Sequence, residues 1–452
     1  MADIDPSCCP HCSRPSTHHS SDALTSISPL LKLLSQSPAS VTPQQVNLAI
    51  SHIFNNALSP VQITAFLAAL HYTRLDSHPE FIAAAAQGMR DAGVKIPGLE
   101  SRFPPHPREQ GEEADDGRYR GGLVDIVGTG GDGHGTFNVS TTASIIATAC
   151  GIQVCKHGNK ASTSSSGSAD ILAALGADLA NVTPDKVRNL FLPPPEEGAE
   201  TGTFCFLFSP TFHPSMKHVA PIRKSLPYRT IFNFLGPLVN PIDYSLPQGL
   251  EARIIGVGQP RFGRIFAETL VHLGVTRAMV VCGSENLDEV SPAVFTHVWK
   301  LRQSKSSLNS STPNVTIEEF KVHPTLTFGL PTHPLTTVAG GHSPHTNAAI
   351  LRRLLKGQIP ATGPSSETAI LDFVILNTAA LCVVAGVVPS ATQKGSRWID
   401  EEEVDEDGYA VGRKWREGVE MVRIGVQSGR AWAAWEEFVE VSKVVPGVVR
   451  KH

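Results

Sequence analysis

The sequence predicts an α/β protein: a small N-terminal α-helical domain, then a large α/β domain with a mostly parallel central sheet flanked by helices. Three observations lead there. Residues 42–93 carry helical spacing throughout. Beyond Leu123, short apolar runs alternate with helical runs. Two of those apolar runs end in loops rich in Gly, Ser, Thr and Asn. At 452 residues the chain is long enough for two domains and a large core.

Taken in order, residues 1–25 read as a disordered tail. Cys8, Cys9, Cys12, His11, His18 and His19 offer metal-ligand chemistry there, but the segment is rich in Ser and Pro and has no folded module around it. Residues 26–95 form the small helical domain, which later helices can complete. In it Val46, Ile50, Ile53 and Phe54 share one face, and Ser59-Pro60 supplies an N-cap and first-turn proline for a helix through Leu70. A further helix follows Ser77-His78-Pro79-Glu80. Residues 96–122 are a polar insertion and 123–452 the catalytic α/β domain, with further polar insertions near 303–314 and 393–408. Strands are expected at 124–127, 152–155, 204–208, 252–257 and 278–282. Helices are expected at 142–149, 171–175, 262–273, 368–385, 416–427 and 429–443. No internal repeat is visible.

Composition excludes several classes. A net charge of −4 with interspersed signs gives no footprint for nucleic acid or an anionic membrane. The longest apolar run, 373–388, is broken by Asn377 and Thr378 and reads as a buried core helix, not a membrane span. The N-terminus lacks signal-peptide architecture, and residues 1–22 hold a single Arg. Cys150, Cys155, Cys205, Cys282 and Cys382 lie in apolar segments, as small buried side chains of a reducing compartment do. The expected location is cytoplasmic.

The two polar loops carry the chemistry. The first is Gly128-Thr129-Gly130-Gly131-Asp132-Gly133, followed by Asn138-Val139-Ser140-Thr141. The second is Lys156-His157-Gly158-Asn159-Lys160, running to Ser168-Ala169-Asp170. Strand–loop–helix turns of this composition bring backbone N–H groups and hydroxyls to one edge of a sheet, which suits an anion with several phosphates. Asp132 and Ser140 suit Mg²⁺ riding on those phosphates, as oxygen ligands directly or through water. Gly128, Gly130 and Gly133 also satisfy the dinucleotide fingerprint, but that site needs an acidic residue about 20 residues on. Residues 148–156 contain none. Adjacent Asp288 and Glu289 can both turn to one hard cation, although such a pair alone is more often a solvated surface.

These loops, with the segment from Arg229-Thr230-Ile231-Phe232-Asn233-Phe234 to Leu235-Gly236-Pro237-Leu238-Val239-Asn240-Pro241, resemble the anthranilate phosphoribosyltransferase family. The resemblance runs from about residue 42 to about 441. It implies transfer of the phosphoribosyl group of phosphoribosyl pyrophosphate to the amine of anthranilate, the second step of L-tryptophan synthesis from chorismate. It implies that Gly128, Gly131, Asp132, Thr136, Asn138, Val139, Ser140, Thr141, Lys156, His157, Gly158, Asn159 and Ser168 bind phosphoribosyl pyrophosphate. Anthranilate would meet Gly128, His157, Asn159, His213 and Arg223. Ser140, Asp288 and Glu289 would serve two Mg²⁺ ions per subunit, and the assembly would be a homodimer.

No residue stands out as a general base, and an aniline-type nitrogen, neutral at pH 7, does not require one. Lys160 departs from the family's commoner arginine, keeping the charge but losing bidentate geometry. Two other readings share the fold. A pyrimidine nucleoside phosphorylase is disfavoured by the KHGN, acidic-pair and 232–241 segments. A non-catalytic nucleic-acid binder is disfavoured by the net charge and the intact Asp288-Glu289.

Overall fold

The structure is a computed structural model that describes residues 25–100, 118–161, 166–192, 201–245, 249–303, 315–360, 362–363, 365–388 and 402–443. The Cys8/Cys9/Cys12 tail lies outside them.

Four helices lead the chain: α1 (Ser28–Gln36), α2 (Pro43–Phe54), α3 (Pro60–Tyr72) and α4 (Pro79–Asp91). Their starts follow local chemistry. Thr42 and Gln45 exchange a capping box at α2, and Ser59 accepts from the Gln62 N–H at α3. Val46, Ile50 and Ile53 are fully buried, the face read from their spacing.

Seven strands follow: β1 (Leu123–Gly128), β2 (Gln153–Gly158), β3 (Phe204–Phe208), β4 (Ala252–Gly256), β5 (Ala278–Gly283), β6 (Thr296–Gln303) and β7 (Val315–Val322). They form one sheet in the order β3-β2-β1-β4-β5-β6-β7. The first five are parallel, and β6 and β7 are antiparallel. The antiparallel pair was not anticipated from sequence, which showed only the polar insertion between its strands. Its apolar alternation is diluted by charge: β7 reads Val-Thr-Ile-Glu-Glu-Phe-Lys-Val, and Lys300 of β6 is buried.

Both faces of the sheet are covered. Met279 and Val281 of β5 belong to one core, and Ala278, Val280 and Cys282 to the other, the period-two alternation of a strand with two dry faces. The first core takes in helix Ser366–Ala385 and the C-terminal helices Arg413–Gln427 and Arg430–Lys443. The second takes in helix Arg261–His272 and the N-terminal helices. Helix Ser366–Ala385 is apolar and long enough to cross a membrane, but it is buried inside the protein. Asn377, the polar break in that run, bonds both backbone groups of Val290, at 3.0 and 3.1 Å. It thereby ties the core helix to the loop carrying the acidic pair. Ile96 and Leu99 are fully buried in the first core. Residues 402–412 pack on β7 through Tyr409, with Glu402 beside Trp415 and Lys414.

The glycine loop after β1 ends sooner than its sequence implied. Helix α5 (Val139–Thr148) begins at Val139, not at Thr142, because Asn138 caps it by accepting the Thr141 N–H at 3.2 Å. The second loop leads into α6 (Ser168–Ala174). Gly151 and Gly176, beyond the two helices, have φ of 80° and 110°, as expected for left-handed termination. Strand order reverses around β1, whose successor β2 lies on one side and β4 on the other. The crevice beyond the carboxyl ends of such strands is where open α/β sheets bind ligands.

Candidate active site

A cleft of about 1310 Å³ opens there, beside the helical domain. It collects Gly128, Gly131, Asp132, Thr136, Asn138, Ser140, Lys156, His157, Gly158, Asn159, Ser168, His213, Arg223, Asp288 and Glu289. The side chains of Val139 and Thr141 are buried and do not line the cleft, because they form the inner face of the first turn of α5.

The acidic pair reaches the cleft because two strand ends are glycine. A Cβ on Gly256 would lie 1.6 Å from the Asp288 carbonyl oxygen, and one on Gly128 would lie 2.4 Å from Asp288 Oδ2. Asp288 Oδ2 accepts the Gly130 N–H at 2.6 Å, locking the acidic loop onto the glycine loop. The Asp288 carboxyl is pushed up to about 7, chiefly by burial and then by the neighbouring charge of Asp132. Glu289 is pushed well above its usual range by burial and by both aspartates, and its Oε2 is buried with no hydrogen-bond partner. Crowded, desolvated carboxylates with an orphaned oxygen form a donor set suited to a hard cation. Among the described residues, no group of three or more His, Cys, Asp or Glu side chains is disposed to hold a metal ion unaided. Other oxygens must complete the coordination shell.

Lys156 differs from its expected posture. It is 2 % exposed, its Nζ donates to the Ile126 carbonyl, and Asp125 and Glu289 are its charged neighbours. Its charge acts from beneath the loops, not from the rim. Ser168 donates to the Asn159 carbonyl at 3.1 Å, and Asp170 accepts from Ala161 and Gly167, folding the second loop back on itself.

His157 and His213 stand edge to face, 5.2 Å apart. His213 Nε2 lies 2.8 Å from the Val239 carbonyl, which can only accept, so the proton sits on Nε2. His157 Nε2 is buried with no hydrogen-bond partner among the described residues. Burial holds both rings neutral, with pKa values lowered to about 3 for His157 and about 4 for His213.

Arg223 lies over the Phe232 ring at 5.8 Å and has no ion-pair partner among the described residues. Three contributors to the cleft were given no role from sequence. Arg229 donates to the Gly131 carbonyl at 3.2 Å. Residues 338–340 pair with 135–137 through Phe137 N–H to Val338 O and Gly340 N–H to Gly135 O. Asn347 binds both backbone groups of Gly341. Arg229 stands inside a quoted motif, whereas Gly340-Gly341 is a bare turn signal about 200 residues from the loop it meets.

Fold and cleft define a two-domain glycosyl transferase. The helical-bundle model of the glycosyl transferase family matches residues 28–93, and its α/β-domain model matches residues 120–431. An anthranilate phosphoribosyltransferase of Schizosaccharomyces pombe is 43% identical over 342 residues, 76% of this chain and 83% of that one. One from Saccharomyces cerevisiae is 37% identical over 331 residues, 72% of this chain and 78% of the relative. The solved structure of the Saccharomyces cerevisiae enzyme in complex with phosphoribosyl pyrophosphate and Mg has a TM-score of 0.68 at 29% identity, covering 91% of this chain and 96% of that one. The chain belongs to the anthranilate phosphoribosyltransferase family.

The neutral histidines set a pH dependence. In the unfolded chain each ring protonates near 6.5, while the folded rings resist protonation down to about 4 and 3. Both folded values are depressed, so the stability these rings contribute is present above pH 6.5 and is lost as pH falls through the folded values. Thermal melts at intervals from pH 7.5 to 5 should show a shallower acid decline for His213→Gln than for wild type. Parallel curves would mean that His213 is not held neutral.

Proposed function

We propose a division of labour in this cleft for the family's reaction, in which the phosphoribosyl group passes from phosphoribosyl pyrophosphate to the amine of anthranilate and pyrophosphate leaves. The observation that carries it is the convergence of two phosphate loops, an acidic pair and an unpaired arginine in one cleft at the sheet's switch point.

The glycine loop and the start of α5 receive the phosphates through backbone N–H groups, with Asn138 and Ser168 as uncharged polar contacts and Lys156 as a buried charge beneath. Charge builds at the anomeric carbon as pyrophosphate departs, so fixed dipoles and cations around the leaving group are the main source of acceleration. Ser140, Asp288 and Glu289, with Asp132 adjoining, would hold two Mg²⁺ ions. The orphaned Glu289 Oε2 and the raised carboxyls support this reading, as does the Mg in the Saccharomyces cerevisiae complex. Bound there, Mg²⁺ would neutralise phosphate charge.

Arg223 meets the anthranilate carboxylate, and Phe232 lies under the same guanidinium. A solved Saccharomyces cerevisiae structure holds 4-fluoroanthranilate, which has this carboxylate beside an amine. Burial lowers the His157 pKa to about 3, so the ring is neutral and too weak a base to strip the amine in advance. It lines the pocket and aims the nitrogen by position. The protein is placed in the cytoplasm, in keeping with its free cysteines at 150, 155, 205, 282 and 382. It is assembled as a homodimer through α3. That helix buries Ile63, Phe66, Leu67 and Leu70 yet leaves Val61 and Tyr72 77% and 74% exposed.

A fluorescence assay of anthranilate consumption with phosphoribosyl pyrophosphate and Mg²⁺ tests the reaction directly. In it, Arg223→Ala should raise KM for anthranilate far more than for phosphoribosyl pyrophosphate, by about 1.5–3 kcal/mol in binding. Arg223→Lys should recover only part of the loss. Equal rises in both constants would remove Arg223 from the carboxylate.

Replacing Asp288 and Glu289 together by Asn and Gln should preserve the fold but lower turnover and shift the Mg²⁺ dependence upward. An unchanged Mg²⁺ titration rules out the metal assignment. Val61→Glu combined with Tyr72→Glu should turn a sedimenting dimer into a monomer. A wild-type protein that sediments as a monomer, or a variant that stays dimeric, sinks the α3 interface.

A further inference from the structure

A strap, residues 236–243, lines the cleft beside the two histidines, and two of its carbonyls take donors from different parts of the chain. Val239 accepts from His213 at 2.8 Å. Leu238 accepts from Nε of Arg90 at 2.8 Å. Arg90 comes from α4, in the helical bundle, and is 6% exposed. Its other arm reaches Asp243 Oδ2 at 2.8 Å, and Asp243 is gripped from the opposite side by Arg253 of β4, also at 2.8 Å. Asn240 fixes the middle of the strap to Asp125 and to the Cys155 carbonyl, both at 2.9 Å.

We propose that Arg90 is a positioning residue for the second substrate. By holding the Leu238 carbonyl and Asp243 in one planar fork, it fixes the strap. The strap's Val239 carbonyl then sets the orientation and tautomer of His213, whose ring stands edge to face with His157. The helical bundle in this way contributes to the acceptor pocket a residue that never meets the substrate. The inference rests on reading those histidines as the anthranilate wall. The fork geometry matters because a guanidinium serves two acceptors at a fixed angle, whereas an ammonium is a single point. Removing Arg90 leaves Asp243 still paired with Arg253, so no lone buried carboxylate is created.

The test compares wild type with Arg90→Gln and Arg90→Lys. Arg90→Gln should raise KM for anthranilate about tenfold or more, with that for phosphoribosyl pyrophosphate near wild type, and Arg90→Lys should fall between. A second readout needs no turnover: ¹⁵N spectra of histidine-labelled, ligand-free protein, with His157→Gln and His213→Gln assigning the signals. Wild type should show the proton on Nε2 of His213, and Arg90→Gln should show mixed tautomers at that ring. If Arg90→Gln does not fold, Arg90→Lys carries both readouts, with smaller shifts in the same direction. Unchanged spectra, or equal changes in both Michaelis constants, overturn the proposal and leave a purely structural ion pair. A wild-type protein without transferase activity would instead refute the functional reading, and the nitrogen spectra alone would then decide the part played by Arg90.

Discussion

The site depends on one close approach. The loop after β5 lies directly on the ends of β1 and β4, and it can do so only because both strands finish in glycine, at 128 and 256. That contact brings Asp288 onto the Gly130 N–H and Glu289 into the cleft that Ser140 of α5 also lines. Any side chain at Gly256 would overlap the Asp288 backbone, which cannot yield without unseating Val290 from Asn377. The acidic pair, the glycine loop and the core helix are therefore one mechanical unit. A loop that elsewhere would be a solvated surface is forced into a dry, negatively charged corner.

Such a corner is costly in isolation, and the surrounding charges show how the cost is offset. Beneath it, Asp125 of β1 and Arg253 of β4 are register partners, and Lys156 of β2 lies between Asp125 and Glu289. Burial pushes the Asp243 carboxyl up, but Arg253 and Arg90 outweigh it and hold the group below its usual range. The opposite outcome at Glu289, where burial and two aspartates outweigh Lys156, marks the place where positive charge is still wanted. Paired charges fix the frame, and the unsatisfied ones face the cleft. This division follows from electrostatics alone: a buried charge is tolerated when paired and becomes reactive toward a counter-ion when it is not.

The wall with the two histidines follows the same logic with neutral groups. Both rings are too deeply buried to be charged, and the Val239 carbonyl fixes which His213 nitrogen carries the proton. Their shared strap is held by residues from the helical bundle, from β4 and from β1. The two domains are thus joined through the floor of the pocket as well as by packing. Arg229, ahead of the strap in the chain, donates to the Gly131 carbonyl and so bridges to the glycine loop.

Much of this was legible in the residues themselves. Apolar periodicity marked the strands β1 to β5 and the long core helix, because a strand or helix buried on both sides has to be apolar in a run. Glycine-rich loops after β1 and β2 marked the end of the sheet where the cleft opens, because backbone N–H groups can face a ligand closely only where side chains are absent. The acidic pair and Arg223 were recognisable by chemistry and resemblance. What the chain order could not show was which of these residues face the cleft. Val139 and Thr141 sit inside a quoted motif yet turn to the core, since a capping asparagine starts the helix early. Lys156 points under the loops because its strand alternates that way. The hairpin of β6 and β7 was hidden by its own charges, and Gly340 and Arg90 by sequence separation from the segments they hold. Local sequence determines which elements form and what chemistry they carry. Register, close approach and the pairing of distant charges are decided only when the sheet closes, because each depends on atoms that meet across the fold and not along the chain.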